Sequence, residues 1–190
     1  MLSYLSMLED KLIIFEFNRG NREVLRKIYE KYKRDLMTLA TVLLYDRDAA
    51  EDVVQDVFAS FIESAKRFRF TGSLKGYLAV CIVNNARNRN KALQRHKSVS
   101  LDEMEQVASN SKSPDISAIF GEDLQRLAWA LSQLPFEQRE ILLLHVYSGL
   151  KFKEIAKLNG KPINTLKGRY RYGIDKLRLL LNSEVKSDTD

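Results

Sequence analysis

The sequence predicts an all-α protein: two small helical bundles joined by a flexible linker, the C-terminal one containing a helix-turn-helix. Three observations predict it. Apolar residues recur at spacings of about three and four along most of the chain, and alternating strand patterns are scarce. The only prolines are Pro114, Pro135 and Pro162. A polar, serine-rich and acidic stretch, "SVSLDEMEQVASNSKSPDIS", breaks the periodicity near the middle of the chain and reads as a tether. The predicted division is an N-terminal unit over 1–97, a linker over 98–120 and a C-terminal unit over 121–190.

The elements follow in order. From Arg22 to Leu44, Leu25, Ile28, Tyr29, Tyr32, Leu36, Leu39, Val42 and Leu43 share one helical face. The segment "DRDAAEDVVQDVFASFIES" starts a second helix, with Asp46 or Asp48 as its cap and early acids suited to the positive helix N-terminus. Val53, Val54, Val57, Phe58, Phe61 and Ile62 form its apolar side, and Asp48, Asp52, Gln55 and Asp56 lie mainly opposite. A third helix is expected from about Leu74 to Leu93. Beyond the linker come a helix around Glu122 to Gln133 and another around Phe136 to Tyr147.

The stretch "FKEIAKLNGKPINTLKGRYRYGIDKL", from Phe152 to Leu177, holds two more helices around a break. Asn159-Gly160 suits a left-handed exit from the first, and Pro162 opens the second. Leu166, Tyr170, Ile174 and Leu177 form a buried stripe on the second helix. Thr165, Arg169, Tyr172 and Lys176 form an outer stripe flanked by Lys167 and Arg171. This spacing is that of a helix-turn-helix, whose outer face enters a major groove. Gly168 fits close approach to the DNA backbone or to the preceding helix.

Charge divides the same way. The formal net charge is +6, with an isoelectric point of about 9.3. Between Lys66 and Lys97 there is no acidic residue, and between Lys151 and Arg178 only Glu154 and Asp175 oppose the lysines and arginines. One basic block in each unit points to two contacts on an extended polyanion. Cys81 is the only cysteine, which excludes an internal disulfide and a cysteine metal cluster. His96 and His145 are isolated, and no glycine-rich phosphate loop is present. No catalytic residue, metal or cofactor is therefore expected. The N-terminus makes a poor signal peptide and no apolar run approaches a membrane span, so a cytoplasmic protein without a membrane partner is expected.

The segment from Leu131 to Leu181 resembles the C-terminal promoter-binding domain of bacterial sigma factors. The resemblance rests on Leu134-Pro135, Gln138-Arg139, Gly149, Glu154-Ile155-Ala156, Pro162, Thr165, Lys167, Arg169 and Leu177-Arg178. Asn164 and Gly168 stand where that family more often has glycine and serine. Ala50-Glu51-Asp52, Gln55-Asp56 and Phe58 are similar to the polymerase-binding helix of the same family. "GSLKGYLAVCIVNNARNRNKALQRHK" resembles its segment for the melted promoter element, with Tyr77 in place of the usual tryptophan. The absence of a long middle segment resembles the two-domain extracytoplasmic function (ECF) type.

The resemblance implies a transcription initiation factor that binds RNA polymerase core and promoter DNA, with room for an anti-sigma factor. It puts Asp52, Gln55 and Asp56 on the clamp helices of the largest polymerase subunit. It puts Lys161, Asn164, Thr165, Lys167, Arg169 and Arg171 on the upstream element as duplex. Phe68, Asn84 and Asn88 would form a pocket for an unpaired base of the downstream element, and Arg87, Arg89, Arg95 and Lys97 would hold its phosphates. The chief alternative is a helix-turn-helix repressor or activator acting without polymerase core. A basic RNA-binding or scaffold protein would account for the charge but not for two ordered signatures.

Overall fold

The computed structural model describes residues 2–64, 69–70, 72–99 and 122–185. Among these the regular elements are helices: α1 (Leu2–Asn18), α2 (Glu23–Leu44), α3 (Arg47–Ser64), α4 (Leu74–Val99), α5 (Glu122–Ser132), α6 (Phe136–Leu142), α7 (Phe152–Asn159) and α8 (Ile163–Val185). A π-helical turn, Leu143–Tyr147, continues α6.

Local chemistry sets the helix boundaries. Tyr45, with φ of 55°, ends α2 in the left-handed region while its N–H bonds Thr41 O. The adjacent Asp46 then caps α3, its carboxylate accepting the Ala49 N–H at 2.9 Å. Ser73 caps α4 by accepting the Gly76 N–H at 3.1 Å. Glu154 reaches back to accept the Lys151 N–H at 2.7 Å, closing the first turn of α7. Gly160 leaves α7 with φ of 65°, and its N–H bonds Ala156 O. These features give the expected break before Pro162.

Packing centres on α2. Ile28, Leu36, Leu39 and Leu43 are fully buried, and α2 meets α1, α3 and α4 as well as α5 and α6. Leu74, Leu78 and Ile82 carry the core into α4, and Ile141, Leu144, Ile155 and Leu166 carry it into the C-terminal bundle. Each such side chain contributes about 1.5–3 kcal/mol by leaving water. The two bundles therefore share one continuous apolar cluster instead of sitting apart on their tether.

Three features differ from the sequence expectation. The periodicity did not mark α1, which docks through Ile13 and Phe17 and stacks Phe17 on Phe61 at 5.1 Å. Helix α4 continues beyond Leu93 to Val99, two residues into the segment expected as linker. The helix expected from Phe136 to Tyr147 widens over its last five residues, with the Ser148 N–H bonding Leu143 O at 3.0 Å. This wider turn delivers Tyr147 to α2, where its hydroxyl donates to Asp35 O at 3.3 Å.

Asn18 fixes the end of α1 to the loop before α4. Its amide accepts the Phe70 N–H at 2.7 Å and donates to Phe70 O at 2.9 Å. Asn18→Ala should lower stability by about 1–3 kcal/mol, because the Phe70 backbone groups lose both partners. Urea unfolding followed by circular dichroism measures this, and Asn18→Asp, which keeps only the acceptor, should fall between the two.

Candidate functional site

The acidic face on α3 is built as expected. Asp52, Gln55 and Asp56 recur at helical spacing and are all exposed. Their apolar neighbours Val53, Val54, Val57, Phe58 and Phe61 are buried, so burial of one side forces the other outward. Phe58 belongs to the core, edge-on to Tyr29 at 4.8 Å. Gln55 also lines a broad groove between α2 and α3, together with Tyr29, Lys33, Arg47, Glu51 and Tyr147.

The second helix of the helix-turn-helix, α8, presents Asn164, Thr165, Lys167 and Arg171 to solvent. Leu166 is fully buried beneath them. Tyr170 packs edge-on to His145 at 5.1 Å and to Phe152 at 5.4 Å, and His145 stacks on Phe152 at 4.2 Å. This aromatic cluster fixes the angle between α7 and α8. Lys161 and Arg169 are half-buried, and among the described residues no group accepts from the shielded Arg169 Nη1. Of the expected outer stripe, Lys176 turns back and donates to Gln133 O at 2.7 Å. Arg178, later in α8, is exposed, with its Nη1 3.9 Å from Asp175 Oδ1.

Gly168 has open space where a Cβ would stand, so packing on α7 is not its reason. Gly173 is the glycine of this helix that packing requires. A Cβ there would lie 3.1 Å from Leu142 Cδ1 and 3.3 Å from Leu134 Cδ2.

The α4 residues form a different picture. Asn88 and Arg95 are exposed. Arg89 Nη1 lies 3.2 Å from Asp52 Oδ2, a partly exposed pair that joins the expected polymerase and DNA sets. Arg87 is engaged inside the protein. Its Nη2 and Nε reach Glu140 Oε2 at 2.6 and 3.1 Å, and its Nη1 donates to Asn84 Oδ1 at 2.9 Å. The Glu140 side chain is 0% exposed. Phe68 and the Lys97 side chain lie outside the described residues. Tyr77, in the expected tryptophan position, packs edge-on to Phe70 at 5.4 Å and beside Phe61 at 6.2 Å. Cys81 is half-buried behind it, and burial pushes its thiol pKa up.

Sequence reasoning missed Glu140. A signal was present, because Glu140 stands three residues before Leu143 and four before Leu144, on the apolar face of its helix. Arg139, part of the Gln138-Arg139 pair, is also buried. Its guanidinium lies 4.8 Å from the Tyr45 ring and 5.9 Å from Phe136.

Two family models match the chain: Sigma-70 region 2 over residues 28–96, and Sigma-70, region 4 over residues 124–177. The chain is 23% identical over 179 residues to the RNA polymerase sigma-H factor of Pseudomonas aeruginosa, covering 88% of this chain and 93% of that protein. It is 26% identical over 153 residues to RNA polymerase sigma factor SigV of Bacillus subtilis, covering 80% and 88%. The ECF RNA polymerase sigma factor SigM of Mycobacterium tuberculosis is 25% identical over 150 residues, covering 79% and 73%. Among solved structures, the sigma factor RpoE in complex with the anti-sigma factor NepR from Bartonella quintana superposes with a TM-score of 0.62. That pair shares 26% identity over 83% of this chain and 98% of the other. CnrH in complex with the cytosolic domain of CnrY gives a TM-score of 0.65 at 19% identity, over 92% and 97%, and shares the fold.

The two α8 glycines should respond oppositely to a methyl group. Gly168→Ala should raise stability by about 0.5–1 kcal/mol, the helix-propensity gain at an unobstructed position. Gly173→Ala should forfeit that gain against Leu142 and Leu134. Urea unfolding of both variants beside the wild type makes the comparison.

Proposed function

Because the chain belongs to the sigma-70 family as an ECF sigma factor, a transcription initiation factor that directs RNA polymerase, we propose that its units divide that task by face. The observation that carries the proposal is the pairing of an exposed acidic face on α3 with an exposed cationic start to α8. Each belongs to its own family match, in chain order.

Asp52, Gln55 and Asp56 dock on the clamp helices of the largest polymerase subunit. Exposed carboxylates on one helix suit a basic partner and steer its approach. Asn164, Thr165, Lys167 and Arg171 enter the major groove of the upstream element, with Lys161 and Arg169 at the edge of that contact. Lysine and arginine there read guanine edges or hold phosphates. The bare Gly168 surface lets α8 approach the DNA backbone. On α4, Asn84 and Asn88, together with Phe68, take an unpaired downstream base, while Arg87, Arg89, Arg95 and Lys97 hold the strand. The units correspond to residues 1–97 and 121–190, with 98–120 as the tether.

A factor acting without polymerase would have no use for the region 2 match over residues 28–96. Solved relatives are complexes with an anti-sigma factor, NepR, and with the cytosolic domain of CnrY. A protein partner of that kind is part of this proposal. No helix among the described residues is long and apolar enough to cross a membrane, and the proposal puts the chain in the cytoplasm beside polymerase.

In vitro transcription with core polymerase on a genomic DNA library tests the proposal as a whole. Productive initiation from discrete start sites is expected, and none should occur if the chain acts without polymerase. Asp52→Arg with Asp56→Arg should weaken core binding in pull-down while circular dichroism stays native. Lys167→Ala should weaken protection of the upstream duplex and leave capture of a pre-melted bubble intact, whereas Asn84→Ala should do the reverse. Loss of a base-specific pair costs about 1–3 kcal/mol, against a uniform loss over all sequences for a phosphate contact.

A further inference from the structure

Helix α1 carries two apolar faces, and the fold uses one of them. Ile13 and Phe17 are buried in the N-terminal core. Leu8, Leu12 and Phe15 are 43%, 63% and 58% exposed. At 3.6 residues per turn the two sets point about 150° apart. Polar contacts stop the helix from rolling its second face inward. The Tyr32 hydroxyl donates to Asp10 Oδ1 at 2.6 Å, and Lys31 Nζ lies 2.7 Å from the same oxygen and 2.6 Å from Glu9 Oε2. Asn18 holds the far end of α1 to Phe70. Residues four and three apart are neighbours on a helix, so Leu8, Leu12 and Phe15 form one continuous apolar stripe fixed toward water. A single exposed leucine carries no meaning, whereas a contiguous apolar patch marks a contact surface.

We propose that this stripe pairs with the same stripe of a second copy of the chain, as a parallel two-helix coiled coil about a two-fold axis. The spacing of Leu8, Leu12 and Phe15 is that of successive d, a and d positions in a heptad, and Leu5 continues it in the sequence. Like residues meet in every layer of such a pair, which is what a two-fold contact requires. Arg19, one heptad after Leu12, lies 5.4 Å from the Phe15 ring centroid and ends the apolar run.

Flanking charge selects both the occupant and the direction. With Leu12 at a, Lys11 stands at g and Glu16 at the following e. In a parallel pair each g residue faces the e residue of the partner's next heptad, so Lys11 and Glu16 meet across the axis twice. Among the described residues Lys11 has no ion-pair partner, and Glu16 has only Lys27, at 3.5 Å. An antiparallel pair would set the e-position acids Glu9 and Glu16 against one another. An anionic membrane surface fits less well, because the two acids outnumber Lys11 along the flanks. Two heptads bury less than the roughly 1,200 Å² of a stable complex, so the dimer is weak and depends on concentration. No residue assigned to polymerase or DNA belongs to the stripe, so self-association and the proposed function are tested apart.

Sedimentation velocity on the full chain, from about 1 to about 300 μM, covers the range expected of so small a contact. The average mass should rise from one chain toward two. Leu12→Glu should raise the dimer dissociation constant by about tenfold or more, because it sets two carboxylates in an apolar layer. Lys11→Glu and Glu16→Lys should each weaken the dimer by about tenfold, since each turns both cross-pairs into like charges. An equimolar mixture of those two variants should recover it, because both cross-pairs are then of opposite sign. Circular dichroism checks that each variant is folded. In a Cys81→Ser background, Leu8→Cys should crosslink to its own copy on oxidation, as equivalent d positions meet in a parallel pair. A wild type that stays monomeric throughout overturns the proposal, and so does a dimer that folded Leu12→Glu leaves intact. A dimer that Leu8→Cys fails to crosslink overturns the parallel arrangement. A monomeric wild type whose binding to core polymerase falls with Leu12→Glu gives the stripe to polymerase instead.

Discussion

Both bundles depend on a single helix having more apolar surface than one bundle can cover. Helix α2 buries Ile28, Leu36, Leu39 and Leu43 almost completely, yet α1, α3 and α4 take only part of its circumference. The remainder faces α5 and α6, where Leu39 and Val42 meet Leu127, Leu131 and Leu143 around a small apolar cleft. Left in water, that stripe would cost free energy in proportion to its area. The C-terminal bundle is the surface that covers it. The hydrophobic effect thus brings the two units together without specifying their register.

Register comes from polar and steric detail at the seam. Tyr45, at the left-handed end of α2, donates to Ala128 O at 3.0 Å and lies under the Arg139 guanidinium. Burial pushes the Tyr45 hydroxyl pKa up, while Arg139 opposes that shift. Tyr147 holds the other side of the seam, its hydroxyl pKa pushed up by burial and by Asp35. Leu150 fits over Gly76, and Arg87 finds Glu140. Of the positions that carry the family resemblance, Arg139 stands at this seam, while Gln138 packs beside Gly173 of α8.

Much of this was legible in the sequence, and the limits are physical. Helices α2, α3, α7 and α8 announced themselves because each has one wet face, which makes periodicity visible, and because Asp46, Asn159-Gly160 and Pro162 mark their ends. Helix α1 carries apolar residues around much of its circumference, from Leu2 through Ile13, Ile14 and Phe15, so no stripe stands out. The π-helical turn has no local signal, since it follows from where Tyr147 and Leu150 must reach. For the candidate site, exposure of Asp52, Gln55, Asp56, Asn164, Thr165, Lys167 and Arg171 followed from helical spacing. The engagement of Arg87 did not. Its partner lies far along the chain, and only tertiary packing shows that the two meet.

The choice of a carboxylate at position 140 is informative for the same reason. Leucine at that position alone would strand the part-buried Arg87 guanidinium, which is strongly destabilising, whereas apolar replacement of both partners of a buried pair is often neutral or stabilising. The Arg87–Glu140 pair contributes less net stability than such a double replacement, because Glu140 loses all of its hydration and, among the described residues, Oε1 receives no donor in return. What it adds is selectivity for the one arrangement in which Glu140 meets Arg87.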